Sequence, residues 1–587
     1  MKSCFRKILC KALLIILPLA GCAHQGYWPQ GKSWAEATLA QLTLRQKIAQ
    51  MMITYMNMRF INSETDRWQE LEDLIVTDGV GGIHLWYGEA GTSLTMMNQM
   101  QRLAKVPILF QGDLERGIGQ RFPGATHLPP LMALAATGSP DNAYEAGRIT
   151  ALEGRAVGYR LNLGPIVDLN NNPANPIINV RAFGEDPGQV TEYATAYLKG
   201  MHDHGMAGTA KHFPGHGDTD VDSHIDIPTI SSDSTRLWQF ELAPYRPLIA
   251  AGVDAILTAH IQAPDFQPHG DTPATLSRFW ITDILREQLG FQGAVVTDAM
   301  FMGAITENYS TAYALVEAIN AGADIIIQNV DVRGAINIVE TAVNDGLISR
   351  ARIDEAALRM LRLKEKVGLH RQRFLDVETT RRDLGRDEFK RAADRIAAES
   401  ITLIKNDGGL VPLRYAGPVD TLYIIDLYDY PYNHSRSTVT ETIANTGLPV
   451  KTLQLDESDG AHVYDEILGT IPEGGRVLVN AFVGFGVRKD RIFLPDIQLD
   501  FVQRLITKTD RLIIASLGTP YLAQAFPDVP AYLCAYNNSP LMQKALAQAL
   551  LGYSPVSGRI PVTIPGVADR GAGLGVQADS LVIPESA

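Results

Sequence analysis

The chain predicts an α/β protein in two parts, a TIM-like (β/α)8 barrel followed by a smaller three-layer α/β/α sandwich. Three observations predict it. From about Ser33 to Lys366, short β-rich apolar runs alternate with helical patterns, the rhythm of βα units around a parallel sheet. Several runs end in a polar or reactive side chain, and a parallel barrel finishes all its strands on one face, so these groups gather around one pocket. About seven or eight units precede one boundary, which favours a closed barrel over an open doubly wound sheet.

Taken in order, MKSCFRKILCKALLIILPLAGCAHQ reads as an export signal. Lys2, Arg6, Lys7 and Lys11 supply the positive region, and ALLIILPLA is an apolar core shorter than the roughly 20 residues that cross a bilayer. Leu19-Ala20-Gly21-Cys22 resembles the lipobox of bacterial lipoproteins, so residues 1–22 are expected to be processed and Cys22 lipidated. The protein is then anchored to a membrane, in the cell envelope. Cys4 and Cys10 leave with the signal, and Cys534, in AYLCAY, reads as a buried thiol.

The barrel is expected over 33–370. Its clearest runs are GVGGIHLWY, VPILFQGDLE, YRLNLGPIVDLN, MAGTAKHF, AILTAHI, AVVTDAM and ADIIIQN, whose ends carry Asp113, Asp168, Lys211 with His212, His260, Asp298 and Asn329. The charged stretch 371–391 breaks the rhythm and reads as a linker leading into a helix. The sandwich follows over 392–575, opened by ESITLIKNDGGLVPL and carried by TLYIIDLY, RVLVNAF, RLIIASLG and AYLCAY. A net charge of −13 and the lack of a basic stripe argue against a nucleic-acid partner.

The densest chemistry lies in KHFPGHGDTDVDSH, residues 211–224. Asp218, Asp220 and Asp222 mimic the start of a calcium loop, but Ser223 and Thr229 stand where it needs glycine and glutamate. HExxH is absent, no cysteine pair is near, and Lys211 precedes its glycines rather than following them as in a phosphate loop. No metal is expected. His216, Asp218, Asp220 and Asp226 suit a polar turn. Asp222 two residues from His224 is a different case, because a carboxylate orients an imidazole and stabilises its protonated form, making a proton-transfer pair. Asp298, at the end of an apolar strand, is either a turn cap or a nucleophile aimed at a polarised carbon.

These residues resemble glycoside hydrolase family 3, and within it the bacterial β-N-acetylglucosaminidases. KHFPGHGDTDVDSH is the specific part; VVTDAM and SITLIKNDGGLVPL support it. The resemblance implies that Asp298 is the nucleophile and that His224, with Asp222, is the acid/base. It also implies that Lys211, His212, Asp113 and Arg121 of GDLERGIGQRF, and Arg181 of NVRAFGEDP, hold the sugar. On their own, Asp113, Arg121 and Arg181 also suit turn caps or surface pairs. DLERG departs from the family in having Arg116 where glycine is usual, so its loop is expected to turn differently around Arg121.

The implied activity is retaining removal of terminal β-linked N-acetylglucosamine from cell-wall or related glycans, with no cofactor. The alternatives left open are a β-glucosidase or β-xylosidase, an N-acetylglucosaminide phosphorylase, and a glycan-binding lipoprotein without turnover. Oligomeric state is not legible.

Overall fold

The computed structural model describes residues 32–583, apart from 220, 231–233, 269–271, 328–329, 431–436 and 485–491. The export signal and Cys22 lie outside the described residues, as do Asp220 and Asn329. Eight parallel strands come first: β1 (Met52–Met58), β2 (Gly82–Gly88), β3 (Leu109–Gly112), β4 (Leu161–Asn162), β5 (Ala207–Phe213), β6 (Ala255–Thr258), β7 (Ala294–Thr297) and β8 (Ile326–Ile327). They pair in the order β7-β6-β5-β4-β3-β2-β1-β8. The ends meet through a parallel bridge between Val296 and Ile325, where Thr297 N donates to Ile325 O at 2.9 Å, so the sheet closes on itself.

Strand alternation decides what fills the barrel and what faces its helices. Ile53, Leu109, Leu161, Ala207, Leu257, Val296 and Ile327 pack together in the bore, whereas Ile83, Ile256, Val295 and Ile326 belong to the outer core. The helix Arg350–Lys366 closes the lower end with Met360 and Leu363, and is started by the Ser349 hydroxyl accepting from Arg352 N–H. Apolar plugging from below leaves the upper end as the mouth.

The stretch expected as a linker, 371–391, carries the helix Val377–Asp383 and the first turn of the helix Asp387–Ser400. The second sheet runs β9 (Thr402–Asn406), β10 (Leu422–Tyr428), β11 (Val450–Asp456), β12 (Arg476–Phe482), β13 (Leu512–Ser516) and β14 (Ala531–Cys534). Its order is β11-β10-β12-β13-β14-β9, with only β9 antiparallel. Cys534 is fully buried there, and burial pushes its thiol upward. Beyond residue 575 the chain still belongs to this unit, since Leu581 N donates to Leu551 O at 2.9 Å.

The two parts are fastened close to the mouth. Asn170 Nδ2 donates to the Tyr521 hydroxyl at 2.9 Å, and that hydroxyl donates back to Asn170 O at 3.0 Å. Asn170 Oδ1 in turn accepts from Asn179 N–H at 2.8 Å, while Thr563 bonds Glu185 through its hydroxyl and its N–H. The second unit thereby braces the segment that carries Arg181.

Candidate active site

Alternation along β3 and β5 raises two side chains from the bore to the mouth. Leu109 lies in the bore, and Asp113 follows it at a spacing of four; Ala207 lies in the bore, and Lys211 follows it at the same spacing. The two meet: Lys211 Nζ is 2.7 Å from Asp113 Oδ1 and 2.8 Å from Glu115 Oε1. Arg181 clasps Glu115 in a fork, at 2.8 Å through Nη2 and 3.0 Å through Nε.

The GDLERG loop does reach Arg121 with Arg116 in place. Arg116 N–H donates to Gln120 Oε1 at 2.8 Å, Gln120 Nε2 donates to Asp113 O at 2.6 Å, and Arg121 Nε donates to the same carbonyl at 3.0 Å. The Arg121 guanidinium lies over Trp86 and Tyr87, 5.1 and 5.4 Å from the ring centroids.

Charge balance sets these groups. Burial alone would raise Asp113, but Lys211, His84 and Arg121 outweigh it and hold the carboxyl far below its usual range. Glu115 is likewise held down, by Arg181 and Lys211 against burial. Burial would lower Lys211, yet the two carboxylates raise it. His84, fully enclosed and 3.6 Å from Asp113, is pushed by burial to about 4 and is neutral at pH 7.

Lys211 is therefore the pin of a buried cluster. Lys211→Met is expected to lower folding stability by about 3 kcal/mol, because two half-buried carboxylates lose the buried ammonium they share. Urea unfolding of the two proteins side by side measures it; a loss near zero would show that Arg121 and Arg181 suffice.

Asp168, at the end of the β4 segment, organises the next loop. Its Oδ2 lies 2.6 Å from His212 Nδ1, and its Oδ1 accepts the N–H groups of His212 at 3.2 Å and His216 at 2.7 Å. His216 is buried between Thr219 Oγ1 at 2.7 Å and Ser223 Oγ at 3.1 Å, so it shapes the loop, as its turn setting predicts. Gly217 allows the close approach: a Cβ there would lie 1.8 Å from Leu169 O.

This loop delivers Asp222 and His224. Asp222 Oδ1 accepts from His224 N–H at 2.9 Å and stands 2.7 Å from His224 Nδ1. The Asp222 side chain is 2% exposed and that of His224 is 28%, so an enclosed carboxylate holds a ring that still opens outward. With Nδ1–H given to the carboxylate, Nε2 is the atom left for proton transfer.

Asp298 follows β7 directly and, two residues after Val296, points up the same bore. Its Oδ1 accepts from Ala299 N–H at 2.7 Å. Burial would raise its pKa; His260, His212 and His224, with that N–H, hold it below the usual carboxylate value. His260 Nε2 donates to Ala299 O at 3.1 Å and its Nδ1 lies 2.9 Å from Thr275 Oγ1, which fixes the turn beside the carboxylate. The His224 loop rests on the turn after Asp298. Ala304 N–H points to Ser223 O at 3.4 Å, and a Cβ on Gly303 would lie 2.6 Å from Ile225 O and 2.9 Å from His224 O.

The fold thus brings together Asp113, Arg121, Arg181, Lys211, His212, Asp222, His224 and Asp298. The arrangement offers an ionised carboxylate at the floor, an imidazole braced for proton transfer, and a polar clamp across β3–β5. Sequence reasoning left out Glu115 and His84 and gave Asp168 and His260 no role. Glu115 was signalled by its two-residue spacing from Asp113, and His84 by alternation with Gly82 in GIHLWY.

Residues 43–363 match the family model described as the glycosyl hydrolase family 3 N-terminal domain. The chain is 27% identical to a "Beta-N-acetylglucosaminidase/beta-glucosidase" of Cellulomonas fimi, over 91% of this chain and 96% of that one. It is 29% identical to "Beta-hexosaminidase A" of Pseudoalteromonas piscicida, over 84% and 91% of the two chains. Among solved structures it resembles a glycoside hydrolase family 3 β-N-acetylglucosaminidase from Paenibacillus sp. str. FPU-7, with a TM-score of 0.79 and 33% identity, over 90% of this chain and all of that one.

Proposed function

The chain belongs to glycosyl hydrolase family 3, and from that membership we propose that it is a retaining exo-β-N-acetylglucosaminidase. The observation that carries the reading is the Asp222–His224 pair seated on the turn that follows Asp298. In the first step Asp298 attacks the anomeric carbon while the His224 imidazolium gives its Nε2 proton to the departing oxygen, leaving a covalent glycosyl-enzyme. In the second, neutral His224 takes a proton from water, the hydroxide displaces Asp298, and the sugar leaves with its original anomeric configuration. Lys211, His212, Asp113, Arg121 and Arg181 hold the terminal sugar, and orientation of this kind supplies several kcal/mol of rate. These steps use side chains and water alone.

The export pattern of residues 1–22 supports an enzyme anchored through Cys22 in the cell envelope, with cell-wall glycan fragments as substrate. A second reading, β-glucosidase activity beside the first, is favoured by the double name of the Cellulomonas fimi relative.

Protein lacking residues 1–22 is expected to release nitrophenol from the aryl β-N-acetylglucosaminide at least tenfold faster, in kcat/KM, than from the aryl β-glucoside, and to form the β-anomer first. Robust turnover of the glucoside alone overturns the specificity, and an α-anomer formed first overturns retention.

A further inference from the structure

The mouth of the barrel has two unlike halves. Over β3–β5 it carries the charged groups Asp113, Glu115, Arg121 and Lys211; at β1 and on the turn after β7 stand the exposed rings of Tyr55 and Phe301. Tyr55 lies two residues beyond Ile53, which fills the bore, and is in register with His84 on the neighbouring strand, so its side chain rises on the inner face. Phe301 is three residues beyond Asp298. Between them the turn after β7 leans over β8, with Met300 N–H directed to Ile327 O at 3.4 Å. There the rings of Tyr55 and Phe301 meet, centroids 6.1 Å apart and inclined by 45°. Both stay open to solvent, 41% and 39% exposed.

Two exposed aromatic rings in mutual contact, three residues beyond Asp298 along the chain, form a contiguous apolar patch at the mouth. A groove of about 490 Å³ continues from Tyr55 between β1 and the start of the helix Val332–Asn344. Thr54, Arg67, Glu70, Asp331 and Arg333 line it, two cations against two anions, a balance that suits neutral hydroxyls and amides better than a polyion.

We propose that Tyr55 and Phe301 form a platform for the leaving part of the substrate: the sugar ring next to the one cut off lies with its C–H face on these rings, and the following ring enters the groove. The inference rests on the hydrolase reading above and names its leaving-group class, a β-linked pyranose chain of at least two further sugars. Phe301 stands three residues beyond Asp298 and touches Tyr55, which lines the groove, so the two rings link the turn that carries Asp298 to that groove. The electron-rich ring faces match the weakly positive C–H face of a pyranose.

The test compares kcat/KM on the β-1,4-linked trimer of N-acetylglucosamine with that on methyl β-N-acetylglucosaminide, whose leaving group has no ring. The wild type is expected to prefer the trimer. The ratio of the two is expected to fall about tenfold in Tyr55→Ala and in Phe301→Ala, and to persist in Tyr55→Phe. A wild-type ratio near one, or an undiminished ratio in both alanine variants, overturns the platform. A wild type that cleaves neither substrate overturns instead the hydrolase reading on which it stands.

Discussion

Asparagine in place of Asp298 is expected to lower kcat/KM on an aryl β-N-acetylglucosaminide by roughly four orders of magnitude or more, with folding nearly unchanged. The amide has the volume of the carboxyl, and its oxygen still accepts the Ala299 N–H that Oδ1 accepts now. What disappears is the negative charge. Three imidazoles, those of His260, His212 and His224, together with that N–H keep the carboxyl ionised although it is largely withdrawn from solvent. A half-buried anion held ready at the mouth is the nucleophile such a displacement needs, and a neutral amide cannot form the glycosyl ester. A 2-fluoro sugar with a good leaving group measures this directly: intact-mass analysis of the wild type should show one added sugar, peptide mapping should place it on Asp298, and the asparagine variant should remain unlabelled. Label on any other side chain removes Asp298 from the role.

The barrel was readable where strands carry strong apolar runs, and missed where they do not. β1 reads MITYMNM, rich in methionine and poor in β-branched residues, so its sequence carries no strong strand signal although it lies between β2 and β8. β11 reads VKTLQLD, an edge strand with much of its length open to water, so it lacks the apolar density of β10 and β12. In the site, the contact between Asp222 and His224 was legible because the two are two residues apart. The clamp was legible only through resemblance, because its partners are distant in the chain: Lys211 and Asp113 by 98 positions, Arg181 and Glu115 by 66, His212 and Asp168 by 44. Spacing arguments work within one strand or loop, and a parallel barrel builds its mouth from different ones. The contact of Tyr521 with Asn170, 351 positions away, was beyond any local pattern.

Removal of the His224 ring bears on the other half of the chemistry, and its signature is a dependence on the leaving group. With Asp222 occupying Nδ1, only Nε2 is available to a glycosidic oxygen, and a proton given there spares an alkoxide from departing uncompensated. His224→Ala is expected to cost about 10² to 10⁴ in kcat/KM on disaccharides and methyl glycosides, whose leaving groups are basic. On a dinitrophenyl glycoside, which leaves as a stable anion, the formation of the glycosyl-enzyme needs little help and is expected to stay within about tenfold of wild type. The second step then lacks its base, so the intermediate accumulates and a burst of dinitrophenol precedes slow turnover. The loop itself is held by His216, Asp168 and the close approach at Gly303, none of which the substitution touches, so a change of this shape belongs to the imidazole and not to a collapsed loop. A plot of log kcat/KM against leaving-group acidity decides the matter: a slope much steeper than that of the wild type assigns the proton to His224, whereas a uniform loss at every leaving group leaves the acid to another residue.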